Sequence, residues 1–144
     1  MKKVSSGLIL VIGLVAACGI WQACAAGRHA EKMRRGIRTG MTLPEVLAVT
    51  KGWIYCRGHS TSGPKTEYVR VFPNGKAEIE AEGPIVTFEN PEGLSQALRQ
   101  RMNQGGGDWE FTFGFLATPR RVYFSVAIGP DGKVNHISEM KTAD

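Results

Sequence analysis

Histidine and cysteine are scarce in these 144 residues, three of each, and neither is spaced as a ligand set. His29, His59 and His136 lie too far apart to repeat the short intervals of a zinc site. No phosphate loop or dinucleotide fingerprint is present, because Gly105-Gly106-Gly107 follows a helical stretch where such loops precede one. The one nucleophile-like pairing, Cys56-x-x-His59, has no third member to orient a base, so it reads as a buried thiol beside a solvated imidazole. No cofactor, metal or enzymatic activity is expected. A basic nucleic-acid face is missing too. Without Lys2 and Lys3 the formal charge falls from +5 to +3, and Arg28, Lys32, Arg34, Arg35 and Arg38 against Glu31 leave the rest near −1. The charge therefore sits ahead of the folded region, as a solvated linker or as attraction to anionic headgroups.

What is present starts with an apolar run. Lys2 and Lys3 precede Leu8 to Val15, and Ala16-Ala17-Cys18 closes it, the arrangement of a bacterial lipoprotein precursor. The lysines hold the N-terminus on the cytoplasmic side while the run enters the bilayer. Two alanines are small enough to lie extended in a peptidase cleft, and only cysteine offers a thiol for a diacylglyceryl group. On this reading residues 1–17 are a signal peptide, Cys18 is the acylated first residue of the mature chain, and 18–38 are a basic tether. By the sorting rule of the lipoproteins this stretch resembles, Gly19 in place of aspartate implies delivery to the outer membrane, at its periplasmic face. Two alternatives stay open. Leu8 to Ala26 would extend about 28 Å as a helix, enough for a single-pass anchor, and cleavage after Ala23-Cys24-Ala25 would release a soluble protein. With Cys18 lipidated, Cys24 and Cys56 remain; an exported protein can join them, or they stay independent thiols.

Behind the leader only enough chain remains for one small core. Thr42 with Glu45 three residues on is a capping box, Pro44 lies in the first turn, and Leu43, Val46 and Leu47 share a face, which predicts a short helix ending at Gly52. Strands are predicted over Trp53–Arg57, Tyr68–Phe72 and Lys76–Ala81, with a polar loop over Gly58–Lys65, a turn at Pro73-Asn74-Gly75 and a short continuation over Ile85–Phe88. Asn90-Pro91-Glu92 opens a second helix carrying Leu94, Ala97, Leu98 and Met102. Trp109, Phe111, Phe113 and Phe115 alternate with Glu110, Thr112 and Gly114, and Arg121–Ile128 and Lys133–Met140 complete the set around Pro130-Asp131-Gly132. The fold class is α+β: a mainly antiparallel sheet packed against two helices over residues 39–144, with weakly similar helix-plus-hairpin halves at 39–88 and 89–144.

Ile37-Arg38-Thr39-Gly40-Met41-Thr42, Glu45-Val46 and Gly52 with its aromatic neighbours resemble the opening of the SmpA/OmlA (BamE-like) lipoproteins. The resemblance spans residues 37–55 and implies a small, exported, lipidated scaffold of the machinery that inserts β-barrel proteins. Trp53-Ile54 stands where that family often carries a proline. The function expected is a non-catalytic envelope scaffold or protein-binding module, held to the membrane through Cys18, with an envelope protein as partner and Trp53, Tyr55 and Tyr68 as its contact residues. The alternative is a small-ligand or peptide binder using the aromatic sheet face of Trp109 to Phe115.

Overall fold

A computed structural model describes residues 6–61, 66–117 and 120–143; Lys2, Lys3 and residues 62–65 of the expected polar loop lie outside them. The elements are α1 (Ser6–Gly36), α2 (Leu43–Val49), β1 (Tyr55–Ser60), β2 (Tyr68–Val71), β3 (Ala77–Glu80) and β4 (Val86–Phe88). They are followed by α3 (Pro91–Asn103), β5 (Trp109–Ala117), β6 (Arg120–Ile128), β7 (Val134–Ile137) and β8 (Lys141–Ala143). The strands form one antiparallel α+β sheet in the order β4-β3-β2-β1-β5-β6-β7, with β8 also on β6. Since β5 occupies the other edge of β6, β7 and β8 share one edge end to end.

The two expected helices form where their caps lie. The Glu45 carboxylate accepts from the Thr42 N–H at 2.7 Å and from its hydroxyl at 2.9 Å, and Asn90 Oδ1 accepts from the Gly93 N–H at 2.8 Å. Both satisfy donors that the first helical turn leaves without partners. Period-two alternation then sorts the strands. Cys56, Val69, Val71, Ala77, Ile79, Trp109, Phe111, Phe113, Phe115, Phe124, Val126 and Ile128 point to one side and join Leu43, Val46, Leu94, Leu98 and Met102 in a single core. Phe124 stacks between Phe113 and Phe115, at 5.4 and 5.9 Å.

The halves share a plan. Each is a helix followed by an antiparallel meander, and β1 pairs with β5 at the centre, so an approximate two-fold axis runs normal to the sheet. Their turns agree bond for bond. In the first, Phe72 N–H donates to Lys76 O at 2.8 Å, Lys76 N–H to Asn74 Oδ1 at 3.0 Å, and Gly75 has φ 87°. In the second, Gly129 N–H donates to Lys133 O at 3.0 Å, Lys133 N–H to Asp131 Oδ1 at 3.0 Å, and Gly132 has φ 77°. The halves differ outside this: β4 extends the sheet beyond β3, whereas β8 folds back onto β6.

Three boundaries depart from the sequence reading. β1 runs on through His59 and Ser60, because Gly58 is not a loop former here: a Cβ on it would meet the Phe111 ring at 2.7 Å. The single closing strand breaks at Ser138–Met140 into β7 and β8. The stretch expected as a tether is helical to Gly36, and α1 docks on β5 and β6 as a third covering helix. Ala30 and Ile37 are buried and Met33 packs on the core.

Candidate binding face

All three helices cover one side of the sheet, and among the described residues no element covers the other. Strand parity places Tyr55, Arg57 and His59 of β1, Tyr68 and Arg70 of β2, and Tyr123 of β6 on that open side, so all three tyrosines of the chain share it. Tyr55 stands opposite Gly114 and its ring occupies the space a Cβ there would need. The Arg57 guanidinium sits 5.7 Å from the Tyr55 ring centroid, within cation–π range. Phe111 over Gly58 is the same device on the covered face, so an aromatic–glycine pair pins β1 to β5 on each side. The Thr112 and Ser125 hydroxyls bond at 3.0 Å beside them.

Tyr68 is 56% exposed and borders a shallow depression of about 150 Å³ lined by Arg57, Arg70 and Glu80. Arg70 and Glu80 approach to 3.8 Å with both side chains half in water, a pair worth little to stability. These groups combine flat aromatic area with forked hydrogen-bond donors, the mixture that recurs at protein contacts.

On the covered side a cleft of about 480 Å³ opens between the end of α2, the start of β1, the β2–β3 turn and the start of α3. Leu47, Trp53, Phe72, Pro73 and Pro91 line it, and Trp53 meets Phe113 edge-on at 6.4 Å. Trp53 is thus separated from the other two expected contact residues. Tyr55 and Tyr68 share the open face, yet Tyr68 pairs with His59, so the two stand about 13 Å apart along the strands. Sequence reasoning missed Arg57, Arg70 and Tyr123, whose signal was their period-two position opposite buried neighbours.

Compared with family models, curated proteins and solved structures, the chain matches none.

The packing bears on the alternatives that the sequence left open. The row Trp109, Phe111, Phe113 and Phe115 is no ligand platform: the four are between 0% and 2% exposed beneath the helices. Cys56 and His59 cannot act together, because an odd spacing on one strand sends Cys56 into the core and His59 to the open face. Burial pushes the Cys56 thiol far above its ordinary value. The bridge between Cys24 and Cys56 is not formed; both are free thiols, Cys24 exposed on α1 and Cys56 fully buried in β1. Among the described residues no group of three or more His, Cys, Asp or Glu side chains could hold a metal ion.

Cys18 is exposed on α1. This helix has a mean hydropathy of 2.2 over its most apolar window, none of it buried, and is long and apolar enough to cross a membrane, as a signal sequence also is. Beyond Ala26 its character changes. Glu31 accepts from Arg34 Nε and Nη2 at 2.8 Å and from Arg35 Nε at 2.8 Å. Those bonds, from Arg34 above all, hold its carboxyl down at about 2.

Proposed function

We propose that this chain is a non-catalytic, membrane-anchored protein-binding module of the cell envelope, acylated at Cys18 and standing at the periplasmic face of the outer membrane. The observation that carries the reading is the division of α1: its apolar part packs on nothing, while its basic part docks on a sheet whose other face is uncovered and rich in tyrosine and arginine. Such a helix couples a membrane to a recognition surface. The scaffold role implied by the BamE-like stretch at residues 37–55 fits that surface better than chemistry would, since Cys56, the one candidate nucleophile, is enclosed in the core.

Metabolic labelling with a fatty acid tests the anchor. Label is expected on the wild type and absent from Cys18→Ala; an unlabelled wild type overturns acylation and leaves Leu8 to Ala26 as a single-pass anchor. Crosslinking in intact envelopes followed by purification in detergent tests the module. A defined envelope protein is expected with the wild type and lost with Arg57→Glu and Tyr68→Ala, and its retention by both variants overturns the open face as the contact.

The Trp53 cleft supports a second reading, a site for an apolar side chain of a peptide, since its volume lies in the range of ligand pockets. Loss of the partner with Trp53→Ala, while Arg57→Glu retains it, would transfer the contact to the cleft.

A further inference from the structure

The direction in which α1 crosses the sheet is fixed at two points. At the first, His29 packs edge-on to Phe115 with centroids 6.0 Å apart, and its Nε2 lies 2.9 Å from the Lys51 carbonyl. At the second, just beyond the helix, the Gly40 N–H donates to Val134 O and the Val134 N–H to Met41 O, each at 2.8 Å. Phe115 and Val134 mark opposite ends of the sheet, because Val134 pairs with Ile128 and Ile128 with Trp109. So α1 runs antiparallel to β5, and its apolar part leaves the domain past the end that carries Leu116 and Arg121. Ala26 stands about 4–5 Å beyond His29 along the helix axis. Leu116 stands about 3 Å beyond Phe115 in the same direction. The end of the sheet and the end of the apolar run therefore lie at nearly one height.

That end is built differently from the other. Ile54 and Leu116, large aliphatic side chains, are 50% and 53% exposed. Arg28, Lys51, Arg121 and Lys141 are exposed around them, with Glu139 and, one turn along α1 from Arg28, Glu31 as acids. The opposite end also exposes a large aliphatic side chain, Ile85, at 59%, but there Glu45, Asp108 and Asp131 offset Arg38, Arg99 and Lys133. Exposed aliphatic side chains among basic ones, level with the boundary of an apolar helix, suit a bilayer surface carrying anionic headgroups.

We propose that this end of the sheet rests on the membrane from which α1 emerges, with Leu116 and Ile54 at the boundary of acyl chains and headgroups and Arg28 and Arg121 against anionic phosphates. The strands then stand along the membrane normal, and the tyrosine face looks along the membrane plane. A partner taken by that face stands on or in the same membrane. The inference rests on α1 as an anchor: the uncleaved helix gives the contact directly, and an acylated Cys18 gives it where the apolar residues 19–26 sink into the acyl layer with the lipid chains, since Ala26 lies about 12 Å from Cys18 along the helix.

The test uses the full chain in vesicles of phosphatidylethanolamine and phosphatidylglycerol, with photo-crosslinking benzoylphenylalanine in place of Trp21, Leu116, Ile54 or Asp108. Lipid adducts, read by mass spectrometry, are expected from positions 21, 116 and 54 and not from 108. Adducts at 21 without any at 116 and 54 overturn the contact while leaving the anchor in place. No adduct at 21 overturns the anchor, and the contact with it. Adducts at 108 as strong as those at 116 mean that the domain lies flat, which overturns the upright orientation. Arg121→Gln should lower the yield at 116 about five-fold, the weight of roughly one basic residue at an anionic surface; an unchanged yield removes headgroup charge from the contact.

Discussion

His29 lies directly over Gly52: a Cβ on Gly52 would meet His29 Nε2 at 2.8 Å, and the same nitrogen bonds the carbonyl of the preceding Lys51. Gly52 has φ 74°, where a Cβ is strained on its own account. Two independent demands thus fall on one residue, and together they seat α1 on the end of α2. Gly52→Ala should destabilise the protein by about 1–3 kcal/mol, measured by denaturant unfolding of the full chain in detergent. His29→Ala should also destabilise, and the double variant should lose less than the sum of the two, because the clash is then gone. Strict additivity would mean that backbone strain alone accounts for the glycine.

The sequence revealed the parts of this fold whose causes are local. Thr42 with Glu45 and Asn90 with Gly93 satisfy first-turn donors within four residues, so both caps were readable without knowing any tertiary neighbour. The Pro-Asn-Gly and Pro-Asp-Gly turns were readable for the same reason. Gly58, Gly114 and the docking of α1 were not, because each depends on a partner from another element. Gly58 looks like a loop residue until Phe111 is placed over it, and Gly114 looks like a gap in the polar row of Glu110 and Thr112 until Tyr55 fills it. In α1 only Met33 and Ile37 hinted at contact, since Ala30 is too small and His29 too polar to advertise a buried side. The open face was half readable: Tyr55 and Tyr68 are visible as aromatics, but which side of the sheet the helices cover is decided by packing.

Gly114→Ala provides a separate check on the face. The added methyl would occupy the position of the Tyr55 ring, which must swing off the sheet and away from Arg57. The expected cost is about 1–3 kcal/mol from overpacking. Tyr55→Ala in the Gly114→Ala background should recover part of it in thermal melts. A Gly114→Ala protein as stable as wild type would show that the ring has other room. Partner crosslinking should fall with Gly114→Ala even where the fold persists.

Glu31 makes the docked part of α1 sensitive to acid. Its carboxyl titrates at about 2, below an ordinary 4.5, because Arg34 first and Arg35 second donate to the ionised form. A lowered folded-state value means that the contribution is fully present above about pH 4.5 and fades as pH falls toward 2. Wild type should therefore melt above Glu31→Gln at pH 6, and the two curves should converge near pH 2. The Arg35 side chain is 76% exposed, so added salt should narrow the gap at pH 6. Equal melting temperatures at pH 6 in low salt would show that the arginine clamp orders the side chains without stabilising the helix.

Thiol counting joins the core to the anchor. Cys56 is fully buried and its thiol is held protonated by the surrounding apolar side chains, whereas Cys24 is exposed on α1. A thiolate-seeking reagent should reach Cys24 in folded protein at pH 8 and Cys56 only after unfolding, because reaction requires both access and deprotonation. If Cys18 carries the diacylglyceryl group its sulfur is a thioether and stays silent. Denatured, unreduced protein should then give two reactive thiols by mass spectrometry. Three would mean an unmodified Cys18, and none would mean that Cys24 and Cys56 have paired. Since pairing requires Cys56 to leave the core beneath Phe113, that last outcome should also bring a marked loss of stability, and a bridged protein melting as high as the reduced one would contradict the packing of β1 described above.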